Sequence, residues 1–379
     1  MISLKKVLFS IAIFSYFTAM MLTTQIEGTV VALFWDASIV FSACMGLLSR
    51  KFKIEAPQLF ILLVFFVTGV LNYSLVGNAQ ISHQVLICLY FFTALLFMDN
   101  TINEKLYLWL FILIVALIAY KFLTVGLYGK VFISSSTNFV SVYLLYPAVI
   151  YYSLLEERKS KIPIYPAVII WIFSLLSRGR GGIIVTTFFL LGMLWISLHN
   201  SQRKRMLFLV SALIVLVGLI VINLDTILFV INNSVIMDYF NSRGLESIRL
   251  AIWAEYLDVV HDSLKNLLLG VRVQDTYYGV MFEGNFHNSF MNLHSLNGFF
   301  ALFIVGAFAI RNLISSIKHR RYVFFLCLFT MLLRSVTDNV FWTCYGTPAV
   351  FFLLFYHNSK FKDVVNNRTK GINPKSFLN

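Results

Sequence analysis

Long apolar segments separated by short polar ones dominate the chain. The apolar runs are continuous and about 15 to 22 residues long, enough for a helix to cross the roughly 30 Å hydrocarbon core of a bilayer. A membrane β-barrel would instead show alternating segments of about ten residues. We therefore predict an all-α integral membrane protein with about twelve transmembrane helices. These are expected near residues 7–23, 29–48, 57–74, 83–98, 106–127, 138–155, 162–176, 182–198, 207–224, 289–310, 322–333 and 341–357.

One long segment, residues 225–288, is polar enough to lie in water. It follows the ninth predicted span and precedes the tenth. The predicted organisation is therefore residues 1–224 with nine transmembrane helices, the loop 225–288, and residues 289–379 with three helices and a basic tail.

Charge sets the expected orientation. Lys and Arg number 30 against 17 Asp and Glu, a net charge of +13, in a chain that is 59% hydrophobic. Such an excess would suggest a nucleic-acid partner in a soluble protein, but in a membrane protein it is typical of basic cytoplasmic segments. Most Lys and Arg residues lie on one side if both termini are cytoplasmic. We therefore expect the long loop on the outer face, membrane lipids as partners and no nucleic acid.

The outward turn between the seventh and eighth spans carries two arginines that topology does not require. It reads Ser177-Arg178-Gly179-Arg180-Gly181-Gly182. Glycines let the backbone approach a ligand closely, and the N-terminus of the following helix attracts anions. The turn thus predicts a phosphate site at Arg178 and Arg180. The alternative is that both side chains extend to lipid headgroups.

Apolar residues recur at helical spacing inside the long loop. They predict an amphipathic helix over about 245–261, lying along the outer leaflet behind a cap at Ser242. Arg249 lies off the centre of the apolar stripe, where it can reach a substrate. The alternative for Arg249 is an ion pair with Glu246, three residues earlier. The stripe consists of Ile248, Ile252, Tyr256 and Val259.

His287 stands where the loop joins the tenth span. An imidazole titrates near pH 6.5 and suits a general base for a hydroxyl near neutral pH. The alternative is a side chain that caps the next helix. Glu283 is the one carboxylate close by, and no Asp-x-Asp pair occurs in the outward segments; we therefore predict neither metal nor other cofactor.

Other polar residues lie within or beside the spans. Arg334 and Asp338 in the last outward turn are a candidate site or a structural ion pair. His294 is expected to be a hydrogen-bonded side chain within the membrane.

Three motifs resemble the O-antigen polymerase and O-antigen ligase superfamily of bacterial surface polysaccharide assembly. The resemblance covers most of residues 165–310. The chain departs from the family pattern at Val271-Arg272, where the family often repeats a glycine. The motifs are Ser177-Arg178-Gly179; Arg249-Leu-Ala-Ile-Trp253 followed by Asn266-Leu-Leu-Leu-Gly270; and His287-Asn288-Ser289-Phe290 with Gly298.

The resemblance implies a metal-independent, GT-C-type glycosyltransferase in the bacterial inner membrane, with the long loop in the periplasm. Its donor and its acceptor would be glycans linked to undecaprenyl pyrophosphate. Arg178 and Arg249 would bind the donor pyrophosphate, with Arg180 as a helper, and His287 would activate the acceptor hydroxyl. A single base and no candidate nucleophile would give inversion at the anomeric carbon.

We interpret the chain as an O-antigen polymerase. The nearest alternative is the ligase, which transfers the finished glycan to lipid A core. A polysaccharide flippase is an alternative from another class, but it would place charges inside the bundle and show repeat symmetry. Whether a chain-length regulator protein is a partner stays open.

Overall fold

A computed structural model describes residues 4–50, 54–126, 130–199 and 248–356. These residues form helices joined by turns, with no β-strand among them. The predicted all-α fold is therefore confirmed for this part of the chain. The predicted span near 207–224 lies outside the described residues.

The α-helices of the described residues differ widely in length, from one turn to thirty residues. Single-turn 3₁₀ helices cover Thr137–Phe139 and Val273–Asp275. In chain order the α-helices are α1 (Leu4–Gln25), α2 (Thr29–Ser49), α3 (Ala56–Leu75), α4 (Ile81–Phe97), α5 (Glu104–Val125), α6 (Val140–Glu157), α7 (Tyr165–Ser177), α8 (Arg180–His199), α9 (Ile248–His261), α10 (Leu264–Leu269), α11 (Tyr277–Met281), α12 (Ser289–Lys318), α13 (Tyr322–Thr337) and α14 (Thr347–Tyr356).

Seven of these helices are long and apolar enough to cross a membrane: α1, α2, α3, α5, α6, α8 and α12. Helices α4, α7, α13 and α14 are also apolar but have 10 to 17 residues. At 1.5 Å of rise per residue, a helix needs about 20 residues to cross the hydrocarbon core. The described part of the chain is therefore that of a multi-pass helical membrane protein.

Helix α6 lies at the centre of the bundle. Residues Val140 to Leu155 are all buried, and α6 packs against α5, α7, α8 and α13. The outer helices instead leave large apolar side chains uncovered, such as Val30 (79% exposed) and Leu123 (86% exposed). Exposed apolar side chains on long helices are what a hydrocarbon solvent requires.

Helix α12 is broken near its beginning, although the sequence predicts one uninterrupted span. Gly298 has φ 69° and ψ −174°, a backbone conformation that side-chain-bearing residues rarely adopt. An ideal Cβ at Gly298 would lie 2.2 Å from the Leu268 carbonyl oxygen. The glycine therefore allows the first part of α12 to pack closely on α10.

The last described helix begins later than predicted. Its expected start was residue 341, whereas α14 begins at Thr347. Pro348 explains the position, since proline is tolerated in the first turn of a helix but not in its interior. Residues 339–346 form a non-helical segment after α13.

The loop before α12 holds more structure than the sequence predicts. The expected helix over 245–261 is described as α9, and its expected cap at Ser242 lies outside the described residues. The short helices α10 and α11 were not predicted. Their N-caps are Ser263, which accepts from the Asn266 N–H, and Thr276, which accepts from the Gly279 N–H. Such caps satisfy donors that a helix cannot satisfy internally.

We predict that Gly298→Ala destabilises the protein, because the new Cβ collides with α10 and the positive φ is strained. A collision of this kind costs about 1–3 kcal/mol. The thermal unfolding midpoint of the purified protein in detergent should fall. Gly306→Ala is the control, since nothing lies within 4 Å of a Cβ there. Equal midpoints for the two variants would contradict the packing role of Gly298.

Candidate functional site

The arginine turn joins α7 to α8. Arg178 is the C-cap of α7 in the left-handed conformation (φ 57°), and its N–H donates to the Leu175 carbonyl. This side chain is buried, with 8% of its surface exposed. Arg180 is half-buried and begins α8. Both predicted arginines therefore lie at one helix-to-helix junction, packed against the rest of the protein.

The glycines of this turn pack against protein atoms. An ideal Cβ at Gly179 would lie 3.1 Å from the Cα of Asn138, and one at Gly182 would lie 2.7 Å from the Ser141 Oγ. At Gly181 it would lie 3.0 Å from the Thr337 Oγ1 and 3.7 Å from the Arg249 Nη1. The close approach that these glycines allow is used in this structure by neighbouring protein atoms. The glycines bring the turn against α13 and Arg249.

A buried carboxylate, Asp338, connects the elements that meet here. It follows α13, and its side chain is 3% exposed. One oxygen, Oδ2, lies 3.3 Å from the Arg249 Nη2 and 3.5 Å from the Arg334 Nη2. The other, Oδ1, lies 3.5 Å from the His287 Nδ1. We call Asp338, Arg249, Arg334 and His287 the Asp338 cluster.

Arg334 is the most deeply buried member of the Asp338 cluster, at 1% exposure. Its Nη1 donates to the Thr337 Oγ1 at 2.8 Å, and its Nη2 donates to the Asn138 carbonyl at 3.3 Å. The guanidinium also lies over the Phe139 ring, 5.9 Å from its centroid. Arg334 therefore links the end of α13 to the segment that contacts the arginine turn. The sequence alternative of an Arg334–Asp338 ion pair is present, but within a larger cluster.

The position of His287 is fixed from several sides. Its backbone is left-handed (φ 50°), and its N–H donates to the Asn285 Oδ1 at 2.9 Å. The Phe282 ring packs edge-on against the imidazole at 5.2 Å. A quarter of the side chain is exposed. The Nδ1 faces Asp338, which leaves Nε2 as the nitrogen available to a substrate.

The alternative that His287 caps α12 is wrong. The N-cap is the next residue, Asn288, whose side chain accepts from the N–H groups of Phe290 and Met291. Ser289 Oγ then donates to the Asp338 carbonyl at 2.9 Å and accepts from the Val340 N–H at 2.8 Å. The start of α12 is thereby tied to the segment after α13.

Helix α9 holds Arg249 by docking on protein. Ile252 and Tyr256 are buried as the apolar pattern predicts, together with Val260 in place of the expected Val259. Tyr256 OH lies 2.7 Å from the His294 Nδ1. The apolar face of α9 therefore packs on the loop and on α12, whereas the sequence placed the helix along the outer leaflet.

The other expectations have mixed outcomes. His294 is hydrogen-bonded as expected, since its Nε2 also lies 2.8 Å from the Leu267 carbonyl oxygen. Glu246, the alternative partner of Arg249, lies outside the described residues. Within the described ranges, no three His, Cys, Asp or Glu side chains come together as a candidate metal site.

Competing effects act on the pKa of Asp338. Burial alone would raise this pKa above its ordinary 3.8. The hydrogen bond with His287 and the positive charges of Arg334 and Arg249 outweigh burial, so the pKa is lowered. Asp338 is therefore a carboxylate at neutral pH, able to orient the imidazole and the two guanidiniums.

The sequence predicted Asp338 only as a partner of Arg334, whereas the structure also places it against Arg249 and His287. The chain offered one signal, a carboxylate four residues after an arginine at the end of an apolar segment. Nothing in the sequence spacing indicates that Arg249 and His287 share the same carboxylate, because they come from other elements.

The comparisons with known proteins leave the family open: no protein-family model and no curated protein sequence matches the chain.

We predict a pH-dependent effect of Asp338→Asn on stability. The folded protein binds the Asp338 proton less readily than the unfolded chain does. The carboxylate therefore stabilises the fold above pH 3.8, and this contribution is lost as pH falls through the lowered pKa. Removing one partner of such a buried set costs about 3–5 kcal/mol.

Unfolding midpoints of the wild type and of Asp338→Asn should differ most from pH 5 to 7 and converge below about pH 4. Asp275→Asn, at an exposed carboxylate, is the control and should show no such convergence. A gap that stays constant over this range would contradict the charged role of Asp338.

Proposed function

We propose that the chain is an O-antigen polymerase, a glycosyltransferase that joins lipid-linked repeat units at the periplasmic face of the bacterial inner membrane. One observation carries this proposal: Asp338 holds Arg249 and His287 on the same carboxylate, next to the arginine turn. A cationic group for a phosphate leaving group and a base for a hydroxyl are thereby brought to one place. The motif resemblance supports the same assignment.

In the proposed reaction, the donor is a glycan attached to undecaprenyl pyrophosphate. The acceptor hydroxyl oxygen attacks the anomeric carbon of the donor sugar, and its proton passes to the His287 Nε2. The bond from that carbon to the pyrophosphate oxygen breaks, and the pyrophosphate leaves with the electron pair. The new glycosidic bond lengthens the chain by one repeat unit.

The cationic residues have the role of stabilising the leaving group. Guanidiniums bind phosphate oxygens through paired hydrogen bonds, and charge stabilisation of this kind is worth a few kcal/mol per well-placed donor. Arg178 and Arg249 are the proposed contacts, with Arg180 as a helper at the start of α8. The lipid tail of the donor would lie in the membrane beside these helices.

Asp338 has the role of a positioning residue. Its side chain is almost fully covered by His287, Arg249 and Arg334, which leaves it poorly placed to attack a sugar. A carboxylate that orients an imidazole holds one tautomer and stabilises the protonated form. The proposed reaction is therefore a single displacement that inverts the anomeric carbon and needs no metal.

The wider architecture belongs to the same proposal. It comprises about twelve spans, a GT-C-type arrangement, cytoplasmic termini and a periplasmic loop. The seven long apolar helices and the shorter ones support a multi-pass chain of this kind.

We predict that His287→Gln abolishes polymerisation, because glutamine cannot accept a proton at neutral pH. Loss of a general base typically lowers the rate about a hundredfold to ten-thousandfold. In a deletion strain that carries the variant, lipopolysaccharide gels should show core plus a single repeat unit and no ladder. His261→Gln, at the exposed end of α9, is the matched control and should restore the ladder.

The deletion strain separates the candidate functions. Core plus one repeat unit indicates a polymerase, whereas bare core with accumulating lipid-linked polymer indicates a ligase. Repeat units trapped on the cytoplasmic side indicate a flippase. A normal ladder from His287→Gln would show that His287 is not the base. The metal-free reaction would be contradicted if EDTA abolished the activity of the purified enzyme and a divalent ion restored it.

We further predict that Lys substitutes poorly at Arg178 and Arg249. A lysine ammonium is a point charge and cannot form the two parallel hydrogen bonds of a guanidinium. Arg178→Lys and Arg249→Lys should each shorten or abolish the ladder at normal protein levels. Arg272→Lys, at an exposed arginine in the same loop, should leave it unchanged. Wild-type ladders from both site variants would argue for lipid-headgroup contacts.

A further inference from the structure

A polar cavity of about 540 Å³ lies beside the Asp338 cluster. Its wall includes Asn285, which accepts from the His287 N–H, and Asn339, the residue after Asp338. The volume falls within the roughly 300–1,000 Å³ of small-molecule sites. The cavity therefore adjoins the proposed base at the same end of the molecule.

The lining of this cavity consists largely of side chains that both donate and accept hydrogen bonds. Amide groups come from Asn78, Gln80, Asn285 and Asn339, among others. An amide offers a donor and an acceptor side by side, which matches neighbouring sugar hydroxyls or an acetamido group. Apolar side chains such as Val273 and Leu296 supply the remainder of the wall.

The charge of the cavity differs from that of the arginine turn. Its lining includes neither Lys nor Arg, and Glu283 is its one carboxylate among the described residues. His83 also lines it, and its Nδ1 accepts from the Gln80 N–H at 3.4 Å. That bond uses the Nδ1 lone pair and so favours the neutral imidazole. An acidic sugar would meet Glu283 without a balancing cation.

Asn339 adds an unsatisfied group. Its Oδ1 is buried and has no hydrogen-bond partner among the described residues. Buried polar atoms are nearly always paired, with protein, water or ligand. A turn of the Asn339 side chain toward the cavity would be needed to bring this acceptor to a bound molecule.

We propose that this cavity binds the terminal sugar of the acceptor glycan, and that it selects neutral or amino sugars over sugars bearing a carboxylate. The identification of the sugar as the acceptor rests on the proposed function. The presence of a sugar site is inferred from the lining residues alone. Glu283 is the specificity-determining residue.

The test measures binding of two sugar probes to the purified full chain in nanodiscs, with saturation-transfer NMR as the readout. The probes are N,N′-diacetylchitobiose, which is neutral, and digalacturonic acid, which is acidic. The wild type should give a stronger signal with the first probe than with the second, since an exposed charge repels a like charge by about 1 kcal/mol. Glu283→Lys should admit digalacturonic acid. An equal response of the wild type to both probes would overturn the proposed selectivity.

Variants that fill the cavity locate the binding. Val280 lines it, whereas the adjacent and equally exposed Met281 does not. Val280→Trp should lose the diacetylchitobiose signal and Met281→Trp should keep it. Gln274→Trp, at an exposed position on the cavity wall, is a second blocking variant should Val280→Trp fold poorly. Retained binding in a folded blocking variant would overturn the assignment.

This measurement needs no enzymatic activity, so its failure is distinguishable from failure of the proposed function. If the protein binds the sugar but the deletion strain still shows a normal ladder, the sugar site is supported and the polymerase function is rejected. If the deletion strain loses the ladder but the protein does not bind the sugar, the polymerase function is supported and the sugar site is rejected.

Discussion

The buried carboxylate of Asp338 is the interaction on which the candidate site depends. A charge at this depth is costly unless opposite charges and hydrogen bonds surround it. Arg249, Arg334 and His287 provide them from three separate elements. Since each partner also needs Asp338, the loop, α9 and α13 are held in one arrangement. The pKa of Asp338 stays low for the same reason.

This arrangement divides one end of the molecule into two chemically different parts. The arginine turn and the Asp338 cluster carry guanidiniums, which suit a pyrophosphate. The adjoining cavity is polar, and the described residues of its lining include neither lysine nor arginine. His287 belongs to the Asp338 cluster, with Nδ1 facing Asp338, and Asn285, which accepts from the His287 N–H, lines the cavity. A donor and an acceptor of different charge would thus approach the proposed base from different sides.

The apolar helices of the described residues were predictable because hydrocarbon permits few backbone structures, and an apolar run of sufficient length is nearly always a helix. The turn that carries Arg178 and Arg180 and the helix α9 were also predictable, because each is visible in a short stretch of sequence. The role of Asp338 was not predictable, since it depends on how distant segments pack. That Gly179 and Gly181 lie against neighbouring protein segments was not predictable either, since it depends on the same packing. Single-residue shifts, such as Val260 replacing Val259 in the buried stripe, depend on docking contacts.

The central claim is that the arginine turn and the Asp338 cluster form the donor pyrophosphate site. Its most direct test is a cryo-electron microscopy structure of the full chain in nanodiscs with undecaprenyl pyrophosphate bound. We expect phosphate density within hydrogen-bond distance of the Arg178 and Arg249 guanidiniums, with the His287 imidazole still against Asp338. Phosphate density at the opposite end of the bundle, near Lys159 and Arg320, would contradict it.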